Sequence, residues 1–111
     1  KDQRIFAILA LIAQVLFLIE KNSYAAATER IDRLKNYANR QLKKDDYFRV
    51  IQFIRLLQQL AKVDFRYENL SNTEKYYSRL EEEPFKYRGL LHELEIIPYE
   101  KLWNMILERA R

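Results

Sequence analysis

The sequence predicts an all-α fold of five or six helices, and three observations support that class. The 111 residues include one Gly and two Pro, too few for the corners of a multi-stranded β protein. Apolar residues recur at steps of three and four, the spacing of one helix face. Hydrophobic residues make up 49% of the chain and aromatic residues 14%, which argues against disorder. A chain of this length forms one domain, residues 1–111, and its start at Lys1 rather than at a Met suggests part of a longer protein.

The first helix is predicted from Gln3 to Lys21 and contains the most apolar segment of the chain. The stretch from Ile5 to Ile19 has fifteen residues, of which Gln14 alone is polar. As a helix it rises about 22 Å, less than the ~30 Å hydrocarbon core of a bilayer. We therefore predict a buried core helix, with a membrane or signal-peptide role as the alternative. A helix that is apolar all round needs cover on several sides, from this chain, an oligomer partner or a larger parent.

The second helix follows an Asn22-Ser23 turn, with Ser23 as the expected N-cap. One apolar stripe predicts its buried side: Tyr24, Ala27, Ile31, Leu34, Ala38 and Leu42. Basic residues lie off that stripe and are expected to face outward: Arg30, Arg33, Arg40 and Lys44. Lys43 and Lys44 also suit the negative end of the helix dipole.

The third helix is expected to begin after Asp45 or Asp46 and to carry apolar residues from Tyr47 to Leu60. These residues cover more than half of its circumference, so we predict that it packs centrally against the first helix. The chain then turns near residue 63.

The fourth helix is predicted from Ser71 to Glu83, because Ser71 followed by Glu74 fits a capping box. It ends on the acids at 81–83, which oppose its dipole and indicate a basic neighbour. Pro84 stops it.

Residues 85–97 are predicted to form a fifth, irregular helix weakened by Gly89. A final helix is predicted to start at Pro98. Its expected inward residues are Tyr99, Leu102, Trp103, Ile106 and Leu107.

A weak internal repeat relates the first and third helices at an offset of 41 residues. It aligns Leu9, Ile12, Leu16, Ile19, Lys21, Ser23 and Tyr24 with Val50, Phe53, Leu57, Leu60, Lys62, Asp64 and Phe65. The segment Ser23–Ala27 resembles the opening of the second helix of a tetratricopeptide repeat, an aromatic residue followed three positions later by a small one. Leu11, Gln14 and Val15 stand where that family usually has tryptophan, leucine and glycine. The resemblance implies stacked antiparallel hairpins of an α-solenoid and a role in protein binding, whereas a simple helical bundle is the alternative architecture.

Catalytic chemistry is not predicted. His92 is the only histidine, the chain has no Cys, and one Gly leaves no phosphate-binding loop. We expect no enzyme activity, no metal and no cofactor. The absence of Cys suits a reducing compartment, so a cytoplasmic location is expected.

Charge is unevenly distributed, because Arg30 to Lys62 contains nine bases and three acids. The predicted function is non-catalytic protein–protein interaction or scaffolding, through a protein partner or other domains of a parent chain. The alternative is nucleic-acid binding by the basic face of residues 30–62, with tyrosine stacking on bases. A homo-oligomer is also an open expectation. The candidate partner-binding residues are Arg30, Arg33, Tyr37, Arg40, Lys43, Lys44, Tyr76 and Tyr77.

Overall fold

A computed structural model of the chain describes residues 3–42, 48–71, 73–82 and 98–110. These residues form five α-helices and no strand, which confirms the all-α class. The helices are α1 (Gln3–Glu20), α2 (Tyr24–Gln41), α3 (Phe48–Lys62), α4 (Glu74–Glu82) and α5 (Tyr99–Ala110), with a 3₁₀ turn at Tyr67–Asn69. The predicted helix over 85–97, the predicted caps Asp45 and Asp46, and the candidates Lys43 and Lys44 lie outside the described residues.

Helices α1 and α2 form an antiparallel hairpin. At the closed end, Asn22 has a left-handed backbone with φ 58°, and the Ser23 N–H donates to the Leu18 carbonyl at 2.8 Å. This arrangement satisfies carbonyls that the end of a helix leaves free. At the open end, Arg4 Nη1 donates to the Gln41 carbonyl at 3.2 Å. The hairpin is therefore fastened at both ends.

The apolar stripe predicted for α2 faces α1 in the structure. Buried residues from the two helices are Ile8, Ile12, Val15, Ile19, Ala27, Ile31, Leu34, Ala38 and Leu42. Ser23 occupies the N-cap position of α2, but its side chain makes no capping hydrogen bond. Its backbone carbonyl, which accepts from the Ala27 N–H at 2.9 Å, opens the helix instead. The expected side-chain cap is thus wrong, and the expected inward face is confirmed.

Helix α3 lies at the centre of the domain and packs extensively against α2, α4 and α5. Its buried residues cover most of its circumference: Arg49, Val50, Gln52, Phe53, Ile54, Leu56, Leu57 and Leu60. The central position is as predicted. Its main neighbours differ from the prediction, because α1 packs chiefly against α2 rather than against α3.

A buried arginine of α3 joins the ends of two other helices. Arg49 is 4% exposed, and its Nη1 donates to the Leu80 carbonyl at 2.5 Å. Its Nη2 pairs with the Glu100 carboxylate. Leu80 lies in the last turn of α4 and Glu100 in the first turn of α5, so both charges stand at favourable ends of helix dipoles. Arg49 therefore places a positive charge at the C-terminal end of α4, although the carboxylate with which it pairs is Glu100 of α5.

Helix α4 begins three residues later than predicted, at Glu74 rather than Ser71. The Thr73 carbonyl accepts the N–H groups of Tyr76 at 3.1 Å and Tyr77 at 3.0 Å. Thr73 thus occupies the position before the helix, and Glu74 is its first residue. The capping box predicted from Ser71 and Glu74 is wrong, since that motif needs the glutamate one turn inside the helix.

The end of α3 closes with the same type of backbone hydrogen bond as the end of α1, but with two left-handed residues instead of one. Asp64 has φ 53° and Phe65 has φ 61°, and the Phe65 N–H donates to the Leu60 carbonyl at 2.9 Å. The chain then enters the 3₁₀ turn rather than a long helix, so the second half does not repeat the first hairpin. Tyr24 and Phe65, which the internal repeat aligns, stack on each other with ring centroids 4.8 Å apart.

Candidate interaction surfaces

The largest departure from the sequence-based expectation is that α1 is buried on one side only. Phe6 and Phe17 are each 59% exposed, and Ala10 and Ala13 between them are also exposed. These four residues follow one another at steps of four, three and four, so they share one side of the helix. We call this side the outer face of α1. The only polar residue adjoining it within residues 6–17 is the exposed Gln14.

The outer face is left open because neighbours of α1 are few. In the described part of the chain, α2 covers one side of α1 extensively and α5 touches it to a smaller extent. Among the described residues, this chain therefore covers one side of α1, and an oligomer partner or a larger parent stays the expected source of cover for the other side. Two exposed phenylalanines on one helix face of a small domain are typical of a binding surface.

An apolar cleft of about 210 Å³ adjoins this face between the C-terminal half of α1 and α5. Its apolar lining consists of Leu16, Ile19, Leu102, Met105 and Ile106. Met105 is 56% exposed. At the rim, Arg109 Nη1 and Glu20 Oε1 form an ion pair at 3.0 Å. Leu16, which lines the cleft, is next to Phe17 of the outer face. The cleft therefore continues the apolar surface of the outer face toward α5.

The predicted basic face of α2 is partly neutralised. Glu29 pairs with both Arg30 and Arg33, and the Arg33 Nε to Glu29 Oε2 distance is 3.0 Å. The count of nine bases and three acids in the sequence analysis begins at Arg30 and therefore does not include Glu29. Because residues 29–33 contain the acids Glu29 and Asp32 beside Arg30 and Arg33, this end of α2 carries no formal net charge.

The other candidates on α2 lie on the same side as Arg33. Tyr37 and Arg40 follow it at steps of four and three. Tyr37 is half-buried and packs against the edge of the core, whereas Arg40 is exposed. Within the described residues, Arg40 forms no ion pair. The structure thus gathers three of the predicted residues on one side of α2, and one of them, Arg40, pairs with none of the described carboxylates.

Tyr76 and Tyr77 belong to a different part of the molecule, on α4. Tyr76 is buried, with the Lys75 Nζ 5.0 Å and the Arg79 guanidinium 6.0 Å from its ring centroid. Tyr77 is half-buried, and its hydroxyl accepts from Asn104 Nδ2 at 3.5 Å. Tyr77 is therefore the more exposed of these two candidate residues.

A small polar cleft between α2 and α3 was not predicted. It holds about 100 Å³, and its polar lining comes from Lys35, Asn39, Arg55 and Gln58. Lys35 and Arg55 form no ion pair with any described residue. The signal for it in the sequence is weak, because the two cations lie twenty residues apart on different helices.

No group of three or more His, Cys, Asp or Glu side chains in the described ranges is arranged to hold a metal ion. His92 lies outside those ranges. None of the helices described here is both long enough and apolar enough to cross a membrane.

Comparison of the chain with protein-family models, with curated proteins and with solved structures finds no match. The resemblance to tetratricopeptide repeats therefore stays a prediction from the sequence.

Proposed function

We propose that this domain is a non-catalytic protein-interaction module whose binding surface is the outer face of α1. The observation that carries the proposal is the exposure of Phe6 and Phe17, each 59%, on a helix whose opposite side is fully buried. Exposing two aromatic rings on one face is unfavourable in water, and association with a partner removes that cost. The tetratricopeptide-like opening of α2 supports the same class of function, and the absence of cysteine supports a cytoplasmic setting.

The chemistry of the face fits an apolar helix of a protein partner. Ala10 and Ala13 are small, so the backbone of a second helix can approach closely at that point. Phe6 and Phe17 stand at either end and offer two large rings to apolar side chains of the partner. No charged residue lies among residues 5–19, but the Lys21 Nζ lies 5.6 Å from the centroid of the Phe17 ring, so the partner face should be uncharged at its centre and carry no cation near Phe17. An amphipathic helix that docks its apolar stripe meets these requirements.

The opposite side of α1 holds this surface rigid. Ile8 and Val15 are fully buried against the hairpin partner, and Arg4 ties the start of α1 to the end of α2. A face presented on an anchored helix loses little conformational entropy on binding. The mechanism is passive presentation of a fixed surface, with no turnover.

The experiment is a capture of partners from native lysate, with and without nuclease treatment, on three immobilised proteins. These are the wild type, the double variant Phe6→Ser/Phe17→Ser, and the control Asn36→Ser, which changes an exposed residue of α2. Thermal unfolding of each verifies the fold. We expect one retained protein set for the wild type and the control, and its loss from the double variant. Equal retention by all three proteins would contradict the proposal.

Nucleic-acid binding is the second candidate, favoured by Lys35 and Arg40 of α2 and Arg55 of α3, none of which forms an ion pair with a described residue. Phosphate contacts by such residues make affinity fall steeply with salt. Charge reversal at Arg33, Arg40 and Lys44 should then abolish retention of single-stranded RNA. Retention that disappears with nuclease in the capture experiment would favour this candidate over the first.

A further inference from the structure

We propose that the occupant of the outer face of α1 is a second copy of this chain, with the two α1 helices packed antiparallel about a two-fold axis. This inference rests on the proposed function and identifies the partner of the same face.

The spacing of the face is symmetric about its own midpoint. Phe6 and Phe17 are equally distant from the point between Leu11 and Ile12, and so are Ala10 and Ala13. A two-fold axis that lies between the two copies, perpendicular to α1 and level with that midpoint, places each Phe6 against Phe17 of the second copy. It also places each Ala10 against Ala13 of the second copy. A self-complementary patch of this kind is what a two-fold symmetric interface requires.

The side chains at each position suit that pairing. The alanines lie at the crossing point, where close approach of two backbones needs small residues. The phenylalanines lie toward the ends, where two aromatic rings meet in each half of the interface. A partner helix with large residues at its centre would clash with α1 at the crossing point. Its backbone would then stay too far from α1 to cover the two phenylalanine rings.

The helix dipoles favour the antiparallel arrangement over the parallel one. Antiparallel helices bring opposite partial charges together at each end, whereas parallel helices bring like partial charges together. Glu20, at the C-terminal end of α1, already pairs with Arg109 of its own chain, so the dipoles and not this carboxylate set the direction.

The area of the face predicts a weak dimer. An aromatic side chain presents about 200 Å² when free, so each phenylalanine at 59% exposure offers about 120 Å². With the alanines the face contributes about 350 Å² per copy, less than the ~800 Å² per partner of a standard stable interface. We therefore expect a dissociation constant on the order of 100 µM, with monomer in excess at low concentration.

Sedimentation equilibrium from about 10 µM to about 1 mM brackets that constant and tests the inference. The wild-type average mass should rise with concentration from 13.6 kDa toward twice that value. The double variant Phe6→Ser/Phe17→Ser should stay monomeric throughout. The variant Met105→Ser, which removes an equally exposed apolar residue from α5, should dimerise like the wild type. Dimerisation of the double variant, or its loss in Met105→Ser, would place the interface elsewhere and overturn the inference.

Cross-linking tests the direction of packing, since the chain has no native cysteine. Mixed Ala10→Cys and Ala13→Cys proteins should form the heterodisulfide in excess over either homodisulfide, because position 10 faces position 13 across the axis. An excess of homodisulfides would show parallel packing and overturn the antiparallel pair. If the wild type stays monomeric up to about 1 mM, well above the expected dissociation constant, the inference that the partner is a second copy is wrong. The proposed function is not affected by that result, because the capture comparison with Phe6→Ser/Phe17→Ser tests it separately.

Discussion

Helices α1 and α3 are both rich in apolar residues, yet they occupy opposite kinds of environment. Helix α1 contains fifteen nearly uninterrupted apolar positions and leaves Phe6 and Phe17 in solvent. Helix α3 is interrupted by polar residues and is buried around most of its circumference, including Arg49 and Gln52. The difference arises because α3 packs against three helices, whereas α1 has one extensive neighbour. The apolar content of a helix thus does not determine how deeply it is buried.

The polar residues of the central helix explain part of that contrast. Arg49 is satisfied by the Leu80 carbonyl and the Glu100 carboxylate, so it ties α4 and α5 to α3. Gln52 is equally buried, but its Oε1 has no hydrogen-bond partner in the structure. A central helix can therefore carry a polar group that organises its neighbours and another that only adds a desolvation cost.

The largest expected effect compares the two sides of α1 by placing the same charge on each. Val15→Asp puts an unpaired carboxylate at a fully buried position and should unfold the domain, since the cost exceeds about 4 kcal/mol. Phe17→Asp, on the outer face, should change the free energy of unfolding by less than about 1 kcal/mol. Circular dichroism with thermal unfolding measures both. A cooperative melt of Val15→Asp at the wild-type midpoint would contradict the assignment of the buried side.

The second prediction breaks the arginine contact of α3. Arg49→Ala leaves the Glu100 carboxylate and the Leu80 carbonyl without their partner, so we expect a loss of about 3–5 kcal/mol. Urea unfolding gives the value. Glu100→Gln serves as the matched control and should cost less, because the Leu80 contact remains. A loss below about 1 kcal/mol for Arg49→Ala would show that the contact is not stabilising.

The third prediction concerns the buried amide of the same helix. Gln52→Leu removes an acceptor that has no partner and keeps nearly the same size, so the domain should gain about 1 kcal/mol. The midpoint of urea unfolding should rise with an unchanged slope. Destabilisation instead would mean that the amide has a hydrogen-bond role in the native state.

The smallest prediction compares the ends of the two helices. Asn22 closes α1 and Asp64 closes α3, both with positive φ. Glycine adopts this backbone without steric cost, so Asp64→Gly should stabilise by about 0.5 kcal/mol and Asn22→Gly by less, since Asn tolerates the left-handed region well. Thermal unfolding of the two single variants measures the difference. A loss of stability in Asp64→Gly would show that the aspartate side chain contributes more than its backbone costs.

The sequence predicts the helices of the described residues well where periodicity is regular. The start of α1 at Gln3 and the buried residues Tyr99, Trp103 and Ile106 of α5 match the expectation. The start of α4 does not, because Ser71 and Glu74 resemble a capping box locally while the carbonyl of Thr73 opens the helix. Two neighbouring residues, Ser71 and Thr73, can each occupy the position before the helix, and the local sequence alone does not show which of them does so.

The candidate surfaces were predicted less completely. Residue type and helical spacing correctly group Arg33, Tyr37 and Arg40 on one side of α2. The pairing of Arg33 with Glu29 follows from a spacing of four residues and was readable from the sequence. The outer face of α1 was indicated only by Gln14, the one polar residue of the apolar run, which adjoins that face and is exposed.

The sequence by itself determined the all-α class, most helix positions and the buried stripe of α2, because these depend on the spacing of neighbouring residues. Only the tertiary structure decided which side of α1 is exposed, since that depends on how many helices pack against it. It also decided the role of Arg49, whose partners Leu80 and Glu100 lie 31 and 51 residues away along the chain. Contacts at that separation arise from packing, and no local pattern encodes them.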